Sequence, residues 1–225
     1  FASPYWKGQP DGNQVATNFF RWRILKEDIK QKASAKARIF PKDLIAANCL
    51  KAAVKFHPKS TKLFLVTQFV DMRPFRQNAH AITTDISIIN TMHKISTTTS
   101  SAAIAAELCN KFQKNIKAGD HHNLTPKIGI SAFIARKLGL RMTSSLAVSY
   151  VGKRSRPSST DFYKIKDYFN FSCLNGLASP ISLTIFEDKE TFYGGFVYRE
   201  DLVEKQVAAK IVHDFQQSLQ LNPPT

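Results

Sequence analysis

Acidic side chains are scarce in this chain: 17 Asp plus Glu stand against 32 Lys plus Arg, a formal net charge of +15 over 225 residues. Such a protein attracts polyanions, and nucleic acid, an anionic membrane face, an acidic protein or a phosphate-bearing cofactor all qualify. The cations gather at Lys51, Lys55, Lys59 and Lys62, at Arg136, Lys137 and Arg141, and at Lys153, Arg154 and Arg156. None of these groups reaches the run of about five or six like charges found in nucleic-acid tails. Cysteine is almost missing. Cys49, Cys109 and Cys173 lie far apart with no CxxC pair, which excludes a disulfide framework and a structural zinc site. Buried, reduced thiols are expected, as in a cytoplasmic protein, with peripheral membrane association as the second placement. Long apolar runs are missing too: Leu44 to Leu50 and Ile128 to Ile134 fall far short of the ~20 residues that cross a bilayer. Two Asn-x-Ser/Thr triplets, at Asn123 and Asn170, carry meaning only in a secreted chain.

The composition that remains is that of a globular protein, with 43% hydrophobic and 22% charged residues, enough to bury a core. No repeat and no Pro-, Gly- or Ser-rich linker divides the chain. The start, Phe1-Ala2-Ser3-Pro4, has no Met and no leader features, so Phe1 is expected to be a processing or other boundary of a longer sequence; residues 1–16 read as a lead-in segment and 17–225 as one folded unit.

Helices are expected where apolar residues recur at steps of three and four. Leu44, Ala47, Leu50 and Val54 form one stripe, with Asp43 placed to cap it. Ile104, Leu108, Phe112 and Ile116 form a second, entered through the hydroxyls of Thr97 to Ser101. Val203, Val207, Ile211, Phe215 and Leu219 form a third, stopped by Pro223 and Pro224. Residues 126 to 138 predict another, between Pro126 and Gly139. Strands are predicted over 62 to 70, 82 to 90, 146 to 151, 161 to 171, 181 to 186 and 191 to 198, the last two joined as a hairpin across Glu187 to Glu190. Ile181-Ser182-Leu183-Thr184-Ile185 alternates strictly, so one face is expected in the core and the other outside it. The whole reads as α/β: a mixed sheet flanked by helices, not a purely parallel doubly wound one.

Chemistry is harder to find. There is no Gly-x-Ser-x-Gly elbow, Walker loop, HExxH or GxGxxG, and the acids Asp43, Asp71, Asp85 and Asp161 show no paired spacing. His57 precedes a proline, His80 and His93 are expected to flank a strand, and His213 lies on the last helix beside Asp214. His121-His122 resembles the opening of an acyl-transfer motif, but that motif needs an Asp four residues after the second His, and position 126 is Pro. A surface loop is the expected role. No catalytic residue and no metal ligand is assigned on this chain.

Read together, several segments are similar to the second half of CoA-dependent acyltransferases and nonribosomal condensation domains. Lys42 to Ala53 resembles the helix that opens that half, and Val70-Asp71-Met72-Arg73-Pro74-Phe75-Arg76 resembles its "VDLRPR" strand end. Ser101 to Leu108 is similar to the following "FWELA" helix, and Ala147-Val148-Ser149-Tyr150-Val151-Gly152 to the "VSNLG" segment. The closing hairpin, Tyr198-Arg199-Glu200-Asp201 and the final helix match in order and spacing. The ordered set covers residues 17 to 220.

The resemblance implies one chloramphenicol-acetyltransferase-like half of a pseudo-twofold fold built around a tunnel. Donor and acceptor enter that tunnel from opposite faces and meet at an HHxxxDG histidine in the other half, which serves as general base. This chain would supply tunnel wall and donor-binding loops, with Ser149, Tyr150 and Gly152 on the wall and Lys153, Arg154 and Arg156 meeting the phosphates of acyl-CoA or of a phosphopantetheine arm. Arg73 and Asp71 would tie a strand end to its surroundings. Tyr150 departs from the family pattern, which usually carries Asn. The implied partners are the N-terminal half, on the same or a separate chain, acyl-CoA as co-substrate without a tightly bound cofactor, and a small alcohol or amine acceptor. An inactive acyltransferase-like binding or assembly module is the alternative, and an RNA-contacting protein is the least favoured, because no RNP-like aromatic strand is present.

Overall fold

The structure, a computed structural model, describes residues 17–32, 39–56, 61–72, 86–122, 145–153, 179–200 and 202–220. Six strands form one sheet: β1 (Thr17–Leu25), β2 (Thr61–Asp71), β3 (Ile86–Ser96), β4 (Leu146–Lys153), β5 (Ile181–Glu187) and β6 (Thr191–Arg199). Four helices accompany it: α1 (Lys26–Lys32), α2 (Pro41–Lys55), α3 (Ser101–Lys117) and α4 (Lys205–Leu219), with a 3-10 turn at Asp120–His122. The spatial order is β1-β6-β5-β4-β2-β3. β2, β4 and β5 run parallel to one another, while β2 with β3, β5 with β6 and β1 with β6 are antiparallel. The expected mixed α/β sheet is therefore present. The helix expected over 126–138 and the strand expected over 161–171 lie outside the described residues.

Helices cover one face of the sheet. Trp22, Phe64, Val66, Val148, Leu183, Ile185 and Phe196 share a single buried cluster with Leu50 and Val54 of α2, Leu108 of α3 and Ile211 and Phe215 of α4. Trp22 meets Phe215 edge to face at 5.5 Å between centroids, a favourable arrangement for two ring quadrupoles. Gly194 makes that approach feasible. A Cβ there would stand 1.8 Å from the Thr184 carbonyl oxygen and 2.9 Å from Trp22 Cζ2, so no side chain fits. The opposite, outer face differs across its width. Exposed large side chains stand on it at Phe19 and Leu25 of β1, at Leu63 of β2 and at Ile86 and Met92 of β3, all positions that alternate with the buried ones.

Local chemistry explains the element ends. Ser100 Oγ accepts from the Ala103 amide at 3.2 Å, the hydroxyl cap expected for α3. Asp188 Oδ1 accepts from the amides of Glu190 and Thr191 and from Thr191 Oγ1, which closes the β5–β6 turn.

Three local expectations need correction. Asp43 does not cap α2: Pro41, with its preset φ, starts the helix earlier, after Phe40. Asp43 falls in the first turn, faces inward, and accepts from Lys42 Nζ at 2.7 Å and Gln68 Nε2 at 3.3 Å. The strand expected to stop at Asn90 continues to Ser96, since β2 offers partners along the whole length, from Ile86 opposite Asp71 to Ser96 opposite Thr61. His93 is thus inside a strand rather than beside one. Finally, β5 is buried on both faces, Ser182 and Thr184 included; on that same outer face Phe186 stacks on Tyr193 of β6 at 5.7 Å between centroids.

Candidate functional site

Parallel strands gather their carboxyl ends at one end of the sheet, where α/β folds place ligands. That end holds Asp71 of β2, Lys153 of β4 and Glu187 of β5. The β4 segment is irregular there. Its pairing with β5 shifts between Tyr150 and Gly152, and Gly152 has φ 85°, a left-handed conformation that glycine adopts without strain. Among the described residues nothing lies within 4 Å of where a Cβ on Gly152 would sit, so the glycine serves the backbone bend rather than a close approach by any of them. A bulge of this kind re-aims the side chains around it.

The register shows which candidates act together. Ser149 lies opposite Thr184 and Gly152 opposite Phe186, on the outer face, whereas Tyr150 lies opposite Ile185 and Lys153 opposite Glu187, on the helix side. The sheet itself therefore separates Ser149 and Gly152 from Tyr150 and Lys153. Tyr150 is hydrogen-bonded to Glu187, and its phenol is pushed up to about 12, by burial first and then by the Glu187 charge. Glu187 Oε2 in turn stands 2.8 Å from Lys26 Nζ, and that ammonium lies 5.2 Å from the centre of the Phe192 ring. Tyr150, Glu187 and Lys26 form one connected group, with Lys153 in register beside it. Lys26 and Glu187 carried no motif in the sequence; they meet only because β1 ends against the β5–β6 turn, where the Lys26 amide donates to the Glu190 carbonyl at 2.8 Å.

Asp71 is exposed at the end of β2, while Arg73, Arg154 and Arg156 lie outside the described residues. Among the histidines, His93 is fully buried under α3, its Nε2 2.7 Å from Thr91 Oγ1 and its Nδ1 3.3 Å from Glu107 Oε1. Burial holds its pKa below the ordinary value, opposed by Glu107 and reinforced by Lys111. The His121-His122 pair was expected in a surface loop. His122 is exposed, but His121 is buried, its ring 3.9 Å from that of His122 and its carbonyl accepting from Ser87 Oγ at 2.7 Å. Burial and the neighbouring His122 lower its pKa, with Asp120 opposing. The packing of this turn against the start of β3 is what draws His121 in. Among the described residues no group of three His, Cys, Asp or Glu side chains is placed to hold a metal ion, and no helix is long and apolar enough to cross a membrane.

Neither a family model nor a curated protein matches the chain. Solved structures do. The trichothecene 15-O-acetyltransferase TRI3 from Fusarium sporotrichioides is similar with a TM-score of 0.65 at 11% identity, over 97% of this chain and 50% of that one. Polyketide synthase associated protein 5 from Mycobacterium tuberculosis gives 0.63 at 11%, over 95% and 55%. The EpoB NRPS cyclization-docking bidomain from Sorangium cellulosum gives 0.61 at 12%, over 97% and 44%. The fold is that of one acyltransferase- or condensation-like half. The chain spans about half the length of each of these structures.

Proposed function

We propose that this chain is the C-terminal half of a CoA- or carrier-dependent acyltransferase, moving an acyl group to the hydroxyl or amine of a small acceptor. The observation that carries the reading is the half-length likeness itself: nearly the whole chain corresponds to half of TRI3, whose name states O-acetyl transfer. The ordered segments at 42–53, 70–76, 101–108 and 147–152 support the same assignment. In this reading the general base comes from the completing N-terminal half, on the same or a separate chain. This chain contributes Ser149 and Gly152 as wall positions on the outer face, Tyr150 as a wall position on the helix side, and Lys153, Arg154 and Arg156 as donor-binding positions. The buried thiols Cys49 and Cys109 suit the reducing cytoplasm.

A second reading, an inactive module kept for binding or assembly, is favoured by Tyr150. Its hydroxyl is engaged by Glu187 and its ring fills a position that the resembling enzymes give to Asn.

The donor-binding part of the reading is tested by Lys153→Ala, Arg154→Ala and Arg156→Ala together, in the assembly with the completing half. Contacts to phosphates remote from the reacting carbonyl hold ground and transition states alike. The expected result is a raised donor KM with nearly unchanged kcat, each exposed contact contributing on the order of 1 kcal/mol and weakening with salt. An unchanged donor KM removes this loop from the site.

A further inference from the structure

The sheet has two free edges among the described strands, β1 and β3. An uncovered edge offers a row of unpaired amides and carbonyls to any other strand, and proteins usually blunt it with charge. β1 shows Arg21 and Arg23 at exposed positions. Among the described residues β3 is blunted only towards its end. Leu65 of β2 uses its amide and carbonyl on the β4 side, bonding Ser145, so its partner Met92 turns its own backbone groups to the free edge. Lys111 of α3 reaches over to donate to the Met92 carbonyl. Lys94 adds a second charge, and Ser96 is closed off by Thr99, which accepts from the Ser96 amide and donates to its carbonyl. The stretch before these caps, Ile86-Ser87-Ile88-Ile89-Asn90, has no charge and no proline. By the same alternation Ile86, Ile88 and Asn90 turn their backbone groups outward. Ile86 is 56% exposed.

We propose that Ile86–Asn90 is a strand-addition site for a second copy of this chain, the two β3 strands pairing antiparallel about a two-fold axis at Ile88. The stretch is its own complement. In that register Ile88 faces Ile88 of the second copy and Ile86 faces its Asn90, and each facing pair exchanges two backbone hydrogen bonds. The Asn90 side chain is drawn aside, its Oδ1 accepting from Thr67 Oγ1 at 2.7 Å, which leaves room for the opposing isoleucine. Lys94 and Lys111 of each copy lie beyond the seam at opposite ends, so the large positive charge does not concentrate there. A strand with basic side chains, such as β1, would bring charge into an apolar seam. The same surface patch serves both copies, so the contact closes and stops at two. The inference does not rest on the acyltransferase reading.

The test is sedimentation across a wide concentration range on the full chain, with far-UV circular dichroism to verify the fold of each variant. A concentration-dependent dimer is expected. Ile88→Lys and Ile88→Glu should each be monomeric alone, and an equimolar mixture should restore a dimer. Ile86→Lys, at a more exposed position, should weaken the dimer about tenfold or more, and Met92→Lys, outside the seam, should leave it intact. A chain that stays monomeric at every concentration, open-ended aggregates, or a dimer indifferent to both Ile86→Lys and Ile88→Lys would each overturn the proposal.

Discussion

Strands β5 and β6 and strands β2 and β3 are both antiparallel pairs of one sheet, yet their two faces are treated differently. In β5 and β6 every residue from Ile181 to Phe186 and from Thr191 to Tyr198 is buried, polar Ser182 and Thr184 included. In β2 and β3 the helix side is closed and the outer side is largely open: Phe64, Val66, Ile89 and Ile95 are buried, while on the outer side Thr67 is buried but Leu63, Ile86 and Met92 remain open to solvent. The first pair behaves as the centre of a domain, where even small hydroxyls are enclosed. The second behaves as a margin, where hydrophobic side chains are left at a surface that can meet another chain.

The contrast is broken most severely at Gly194. Gly194→Ala drives a methyl into the Thr184 carbonyl, and a loss of about 4 kcal/mol or more, or failure to fold, is expected in denaturant unfolding. Phe215→Ala empties the space against Trp22 and should cost about 3–5 kcal/mol, whereas Leu63→Ala on the open margin should stay within about 0.5 kcal/mol. Equal losses at these two positions would mean that the faces are not different after all.

A smaller, pH-dependent effect sits under the margin. His93 is held neutral in the fold, its pKa lowered mainly by burial from an ordinary 6.5, between Thr91, Glu107 and Lys111. Above 6.5 both folded and unfolded chains leave it neutral; as pH falls through that value the unfolded chain takes up the proton first, so stability declines. Unfolding followed between pH 7 and 5 should show this slope, and His93→Gln should reduce it, leaving the share of the other buried histidine, His121. A flat profile in the original chain would place the ring in a solvated setting.

Much of this was legible in the sequence because the relevant signals are local. The stripe Ile104, Leu108, Phe112, Ile116, the hydroxyl at Ser100 and the three residues between β5 and β6 each specify an element from neighbours close in the chain. What was not legible depends on long-range partners. Ile181 to Ile185 reads as a half-buried strand, and its alternation does not disclose that the face of Ser182 and Thr184 is enclosed as well. Asp43 reads as a cap, and only Gln68 on a distant strand reveals its inward turn. At the candidate site the positions of β4 could be named, but not their division: a two-residue alternation does not disclose a bulge, so the separation of Ser149 from Tyr150 and the Tyr150–Glu187–Lys26 group required the register with β5.

The proposed reading, the C-terminal half of an acyltransferase whose base comes from the completing half, is tested most directly by supplying that half. Thiol release from acyl-CoA, with a small alcohol or amine as acceptor, should be absent for the chain alone. It should appear when a completing N-terminal half bearing HHxxxDG is joined to it or added, and vanish again when that motif's second histidine is changed to Ala. Steady turnover by the chain alone would contradict the account and direct attention to His121 and His122; a stable, correctly assembled pair with an intact motif and no turnover would contradict it in favour of the inactive module.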